Sequence, residues 1–263
     1  YRVNAWRVRM LWQLTLGDTE EAARCRRRAE LTLLQEGSGQ QYAGTTSLGE
    51  LICHVLTGDL MAIKHTNDAV SKLASRFAGW QPFLTYGRAS LALLQGDAQS
   101  ALTLVVNALE TVRPGEHAAY AYLASCRMLA LIELGRTEEA ALLGQGYLQV
   151  CEREELTPTA HIVHIAAALA LAKTGAFEAA VKILDEAVAI ARERGQRGVC
   201  IGSMYESRAR IATWMHDREA FQRYAELCAA EYRHGHNTSL VAKLARLLEE
   251  ARQTDTGGPE SIS

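Results

Sequence analysis

The chain has 263 residues, with 28 Lys and Arg against 30 Asp and Glu and a formal net charge of −2, so the molecule as a whole is not drawn to nucleic acid or an anionic membrane by charge. Apolar residues make up 48% and charged residues 22%, which argues against a disordered segment and leaves enough for a sizeable core. The longest apolar run, Ile165 to Ala172, is too short to span a bilayer. The six cysteines have no metal-finger spacing and fall mostly inside helical patterns, where a free thiol behaves as a small hydrophobe; this predicts a reduced, cytoplasmic protein.

In chain order the pattern predicts paired helices. Residues 2–36 hold the first pair, with Val3, Trp6, Met10 and Leu14 on one face of the first helix. Asp18, followed by Glu21, reads as a capping box opening the second helix, and Gly37-Ser38-Gly39 as a loop. The second pair spans 41–76, with Gly58 ending one helix and Asp59 capping the next. Gly79-Trp80-Gln81-Pro82 opens the third, 81–113, and Pro114-Gly115 follows it. The fourth spans 117–155, where Glu138 and Glu139 sit in a first turn favoured by the helix dipole. Thr157-Pro158 starts the fifth, 158–194, and the sixth spans 198–234. A lone amphipathic helix is expected over 238–252, with Leu240, Leu244, Leu247 and Leu248 inward and Lys243, Arg246, Glu249, Glu250 and Arg252 outward, as a cap for an open array end. Residues 253–263 read as a flexible tail, and together with Tyr1 in place of an initiator Met they predict a piece of a longer protein. No sustained period-2 run bounded by turn residues occurs, so the expected fold class is all-α.

The pairs repeat. Helix-stop, helix-start dipeptides fall at Gly17-Asp18, Gly58-Asp59, Gly96-Asp97, Gly135-Arg136, Gly175-Ala176 and His216-Asp217, at spacings of 41, 38, 39, 40 and 41. After Gly175, the residues Phe177, Ala180, Val181, Leu184, Ala187, Val188 and Ala191 form one apolar helical stripe, and the same pattern follows Gly96. Small residues recur five positions after the turn (Ala22, Ala101, Ala140, Ala180) and twelve after it (Ala29, Ala108, Ala187), with Ile63 and Phe221 as exceptions at the first position. This pattern resembles the tetratricopeptide repeat from about residue 2 to 234, in units longer than that family's roughly 34 residues. Arg26, Asn67 and Gly144 stand where the family expects a large residue. The longer unit is similar to the arrays of large bacterial signalling proteins, such as maltose-regulon-type activators and multidomain Ser/Thr kinases with an ATPase module. The resemblance implies a right-handed superhelical solenoid of about six helix hairpins plus a C-terminal capping helix.

The chemistry-bearing patterns are sparse. No phosphate loop, dinucleotide fingerprint, nucleophile elbow or His-Glu-x-x-His is present, and Glu138-Glu139, Glu154-Glu155 and Glu249-Glu250 are adjacent pairs whose members point apart on a helix. His161 and His164 are spaced to share a metal but lack a third ligand at the right spacing, so neither a metal nor a cofactor is expected. Arg24, Arg26, Arg27 and Arg28 read as a basic outer face rather than a nucleic-acid patch. A non-enzymatic role in recognition follows. In tetratricopeptide pairs the first helix of each unit lines a concave surface, and the resemblance places that surface on Asn4, Arg7, Thr45, Tyr86, Ser90, Tyr122, Ser125, Glu206 and Arg210. The equivalent residues of the fifth unit, Ile162, Ile165 and Leu169, are either buried by curvature or form an apolar floor. The expected function is a protein-interaction scaffold that regulates a larger signalling protein by binding a partner segment or another domain of the same chain. The alternative is a small-effector sensor controlling an attached ATPase, kinase or DNA-binding module, which would require a compact enclosed pocket.

Overall fold

Each turn dipeptide both ends one helix and starts the next. In the computed structural model, which describes residues 2–36, 43–156 and 159–256, the turn residues Gly17, Gly58, Gly96, Gly135, Gly175 and His216 all have left-handed backbone, with φ from 57° to 84°. Gly175 N–H donates to the Ala172 carbonyl at 3.1 Å and Ala176 N–H to Leu171 at 3.0 Å, the bond pair that closes a helix on a left-handed residue, and the pair recurs at the other five turns. Asp18, Asp59, Asp97 and Asp217 then accept from the backbone N–H three residues on, at 2.9 to 3.0 Å. The capping box expected at Asp18 forms only by half. Its N–H is already committed to the Gln13 carbonyl at 2.8 Å, and Glu21 turns instead to Arg24 at 2.6 Å.

The described chain is all-α, with thirteen α-helices packed as successive hairpins. The pairs are α1 (Arg2–Leu16) with α2 (Thr19–Glu36), α3 (Ala43–Thr57) with α4 (Leu60–Ala74), α5 (Gln81–Leu94) with α6 (Ala98–Leu109), α7 (Tyr120–Glu133) with α8 (Thr137–Arg153), α9 (Ala160–Lys173) with α10 (Phe177–Glu193), and α11 (Val199–Trp214) with α12 (Arg218–Tyr232). A short 3-10 turn, Ala78–Trp80, leads into α5, and α13 (Thr238–Thr256) stands alone at the end. Several expected bounds move, among them the start of α7, at Tyr120 and not 117. α6 stops at Leu109, and α13 continues to Thr256, past the expected 252. Gly37-Ser38-Gly39, Thr157-Pro158 and the tail from 257 lie outside the described residues.

Odd-numbered helices pack on one another and on their even-numbered partners, so the odd set forms the inner layer. The stripe Ala180, Leu184, Ala187, Val188 and Ala191 is buried, as are Ala22, Ile63, Ala101 and Ala140 at the recurring position after the turn. Inner helices are covered on several sides. α9 and α11 are therefore buried nearly all round, which is why they carry so little polar periodicity.

The inner layer bends until its ends meet. Thr19 Oγ1 donates to the His236 carbonyl at 3.2 Å, and Lys243 Nζ to the Leu56 carbonyl at 2.9 Å. A Cβ on Gly198 would overlap the Thr15 carbonyl oxygen, and one on Gly235 would lie 2.5 Å from Asp18 Cα. The start of α11 and the link from α12 to α13 thus pack directly on the turn between α1 and α2. α13 packs on the last hairpin, as expected of a capping helix, and its other side also meets α3. Its Leu240, Leu244 and Leu247 are buried, whereas Leu248 is 37% exposed. Lys243, expected outward, turns inward and pairs with Glu206 at 2.8 Å.

Candidate functional site

The inner helices border a half-open cavity of about 330 Å³. Its wall has two sides. α3, α5, α7 and α9 contribute Val55, Leu56, Tyr86, Leu93, Leu129, Ile162, Ile165 and Leu169, with Ser90 and Ser125 among them. α11 and α13 contribute Glu206, Arg210, Lys243 and Arg246, beside Ser203 and Ser207. The site is an apolar trough facing a charged ridge.

Glu206 is the centre of that ridge. Its residue is 4% exposed, and its carboxylate takes Lys243 Nζ at 2.8 Å, Arg210 Nη2 at 3.4 Å and the Tyr232 hydroxyl at 2.7 Å. Burial alone would push this carboxyl up; the two cations and the hydroxyl outweigh it and hold Glu206 below the usual carboxylate range. Arg210 also reaches Glu250 through Nε at 2.8 Å and Nη2 at 3.4 Å. That pair borders a second hollow, of about 640 Å³, which shares Leu129, Leu169 and Arg210 with the first. In it the Lys173 ammonium stands 3.9 Å from the centroid of the Trp214 ring.

Of the nine residues expected on a concave surface, Tyr86, Ser90, Ser125, Glu206 and Arg210 line this cavity. Tyr122 sits behind the wall, its ring centroid 5.1 Å from that of Tyr86, and burial pushes both hydroxyls up. Asn4 and Arg7 are half-buried on α1 and do not reach the wall. Thr45 falls in α3, but its side chain lies outside the described residues. Ser125 Oγ donates to the Ile162 carbonyl at 3.0 Å, tying α7 to α9 across the wall. Ile162, Ile165 and Leu169 form the apolar floor. Lys243 and Arg246 were not expected here. Both flank the Leu240, Leu244, Leu247 stripe, where a cation in the sequence looks like an ordinary outer-face residue.

The remaining candidates resolve locally. Arg24 and Arg26 of the basic cluster pair with Glu21 at 2.6 Å and Glu50 at 3.1 Å. His164 Nδ1 lies 2.7 Å from the Ala160 carbonyl oxygen, and among the described residues no three His, Cys, Asp or Glu side chains gather as metal ligands. The six cysteines are free, and burial pushes the thiols of Cys53, Cys126 and Cys228 up to about 12, far from a reactive thiolate at neutral pH.

The hairpin array is similar to a solved structure, BtubC (BKLC) from P. vanneervenii, with a TM-score of 0.50 and 17% identity over 79% of this chain and 94% of that one. At that identity the likeness concerns the fold alone. It agrees with a tetratricopeptide-like solenoid fold. No family model matches the chain, and no curated protein matches it in sequence.

Proposed function

We propose that this chain is a non-catalytic, ligand-sensing module whose inner cavity receives a compact effector and passes its occupancy to a larger signalling assembly. One observation carries the reading: the solenoid closes on itself, so the concave faces of six helices converge on one half-open cavity of about 330 Å³ rather than on a continuous groove. That size lies at the lower end of small-molecule sites, which combine apolar walls with a few convergent polar groups. An extended peptide needs an open track, which the meeting of α13 with α3 interrupts. The free cysteines fit a reducing, cytoplasmic setting. The regulated output belongs to another segment of the parent or to a bound protein, in the manner of the signalling arrays the sequence resembles.

A second reading, a scaffold for a protein partner, is favoured by the first hairpin, which leaves Val8 67%, Trp12 55%, Leu31 55% and Leu34 81% exposed. One experiment separates the two. A metabolite screen by thermal shift is expected to give an upshift of roughly 5 °C or more at about one hundred times Kd. Leu169→Trp, which fills the cavity, removes that upshift and leaves binding at the first hairpin intact. A screen blank at saturating concentrations across metabolite classes would sink the sensor reading.

A further inference from the structure

The donors and acceptors on the charged ridge are unequally used. Glu206 has three of its roughly four acceptor sites filled: Oε2 takes Lys243 at 2.8 Å and Tyr232 at 2.7 Å, and Oε1 takes Arg210 at 3.4 Å. A cationic ligand would find there only a buried carboxylate already paired with two cations. The cations are not saturated. Lys243 spends two of its donors, on Glu206 and on the Leu56 carbonyl at 2.9 Å, so one N–H remains. Arg246, exposed at the cavity mouth, makes no ion pair among the described residues and keeps its whole guanidinium fork for a planar oxyanion. Three cations against one acid leave the wall net positive, and it stays so when Glu250, which shares Arg210, is counted as well. The opposite wall, through Leu93, Leu129, Ile162, Ile165 and Leu169, is apolar.

We propose that the cavity selects a small amphipathic carboxylate, with the carboxylate held by Arg246 and the spare Lys243 donor and the apolar tail laid along α5, α7 and α9. The inference rests on the cavity being a ligand site and adds the chemical class. Charge sets the polarity of the bound molecule and the trough sets its shape: a polyanion would meet Glu206 and Glu250, and a sugar would leave the trough without apolar contact.

The test uses decanoate, decanol and decylamine, each below its aggregation threshold, with the intact chain, read by calorimetry and thermal shift. Decanoate is expected to bind one site, with decanol and decylamine weaker by about tenfold or more. Arg246→Gln lowers decanoate affinity by about tenfold and leaves decanol unchanged, while Arg252→Gln, on the same helix but off this wall, changes neither. Because Arg246 is exposed, the variant keeps its fold, checked by an unchanged apo melting temperature. Equal binding of decanoate and decanol, or indifference to Arg246→Gln, overturns the charge selection and leaves the cavity reading standing. Tighter binding of acetyl-leucyl-leucine than of decanoate overturns the free-acid form in favour of a peptide C-terminus. Binding of none of these probes overturns the proposal; the cavity reading falls with it only if the broad metabolite screen is blank as well.

Discussion

Asn67 of α4 and Gly87 of α5 share one contact. Asn67 is 7% exposed, and neither its Oδ1 nor its Nδ2 has a hydrogen-bond partner, a cost of about 1 to 3 kcal/mol for the buried amide. A Cβ on Gly87 would overlap Asn67 Oδ1 and lie 3.1 Å from Leu51 Cδ1. Gly87→Ala is therefore expected to destabilise by roughly 2 kcal/mol through overpacking. Asn67→Ala should be near neutral, because lost packing offsets the relieved amide. The double variant should recover about 1 kcal/mol of the Gly87→Ala loss, since the clash partner is gone. Urea unfolding of the four proteins measures this, and strict additivity would rule the contact out. The sequence marks Asn67 as odd, standing where a repeat wants bulk, but not why, because the compensating glycine lies in the next unit. The cavity residues divide the same way. Tyr86, Ser90, Ser125, Glu206 and Arg210 follow from counting back along helices whose ends are marked by turns. Lys243 and Arg246 do not, since helical periodicity reports which flank a residue occupies and not what stands beyond it.

The turns are the most legible elements because their chemistry is local. A left-handed residue closes a helix whatever packs on it, and an Asp beside it caps the next from its own side chain, so both can be read within a few residues of sequence. The less legible ends depend on tertiary contact: α6 stops at Leu109 although its apolar stripe runs on to buried Val112. His216 allows a direct test. Five of the six turns use Gly, and the sixth holds His216 at φ 57°, where an L side chain costs about 1 to 2 kcal/mol. His216→Gly removes that cost but adds freedom to the unfolded chain worth about 0.5 to 1 kcal/mol. The net expectation is a gain of roughly 0.5 to 1 kcal/mol, or a melting temperature about 1 to 4 °C higher. Asp217 still caps α12 through Ala220 N–H at 2.9 Å in the variant, so the effect reports the left-handed residue alone. An unchanged or lower melting temperature would mean that the His216 side chain makes a contribution the turn geometry does not reveal.

At the scale of the molecule, closure distinguishes this array from an open solenoid, and it was the least legible feature. Curvature is the sum of small rotations, one per hairpin, and no single repeat states where the first and last will meet. The places that record the meeting, Gly198 and Gly235, read in sequence only as breaks between helices. Closure also changes how stability is distributed. In an open array each unit feels only its neighbours, so damage at one end fades before reaching the other. Here the link from α12 to α13 packs on the start of α2, with Gly235 against Asp18 and Thr19 Oγ1 on the His236 carbonyl at 3.2 Å. Gly235→Val forces that backbone contact apart without touching the cavity wall. Its expected signature in hydrogen exchange is faster opening of α1 and α2, more than two hundred residues away in sequence, together with α11 and α13, while α6 to α8 stay protected. Small-angle scattering should show a larger radius of gyration as the ends separate. An open solenoid would confine the faster exchange to α11 through α13, so unchanged protection in α1 and α2 would show that the ends do not support one another in solution.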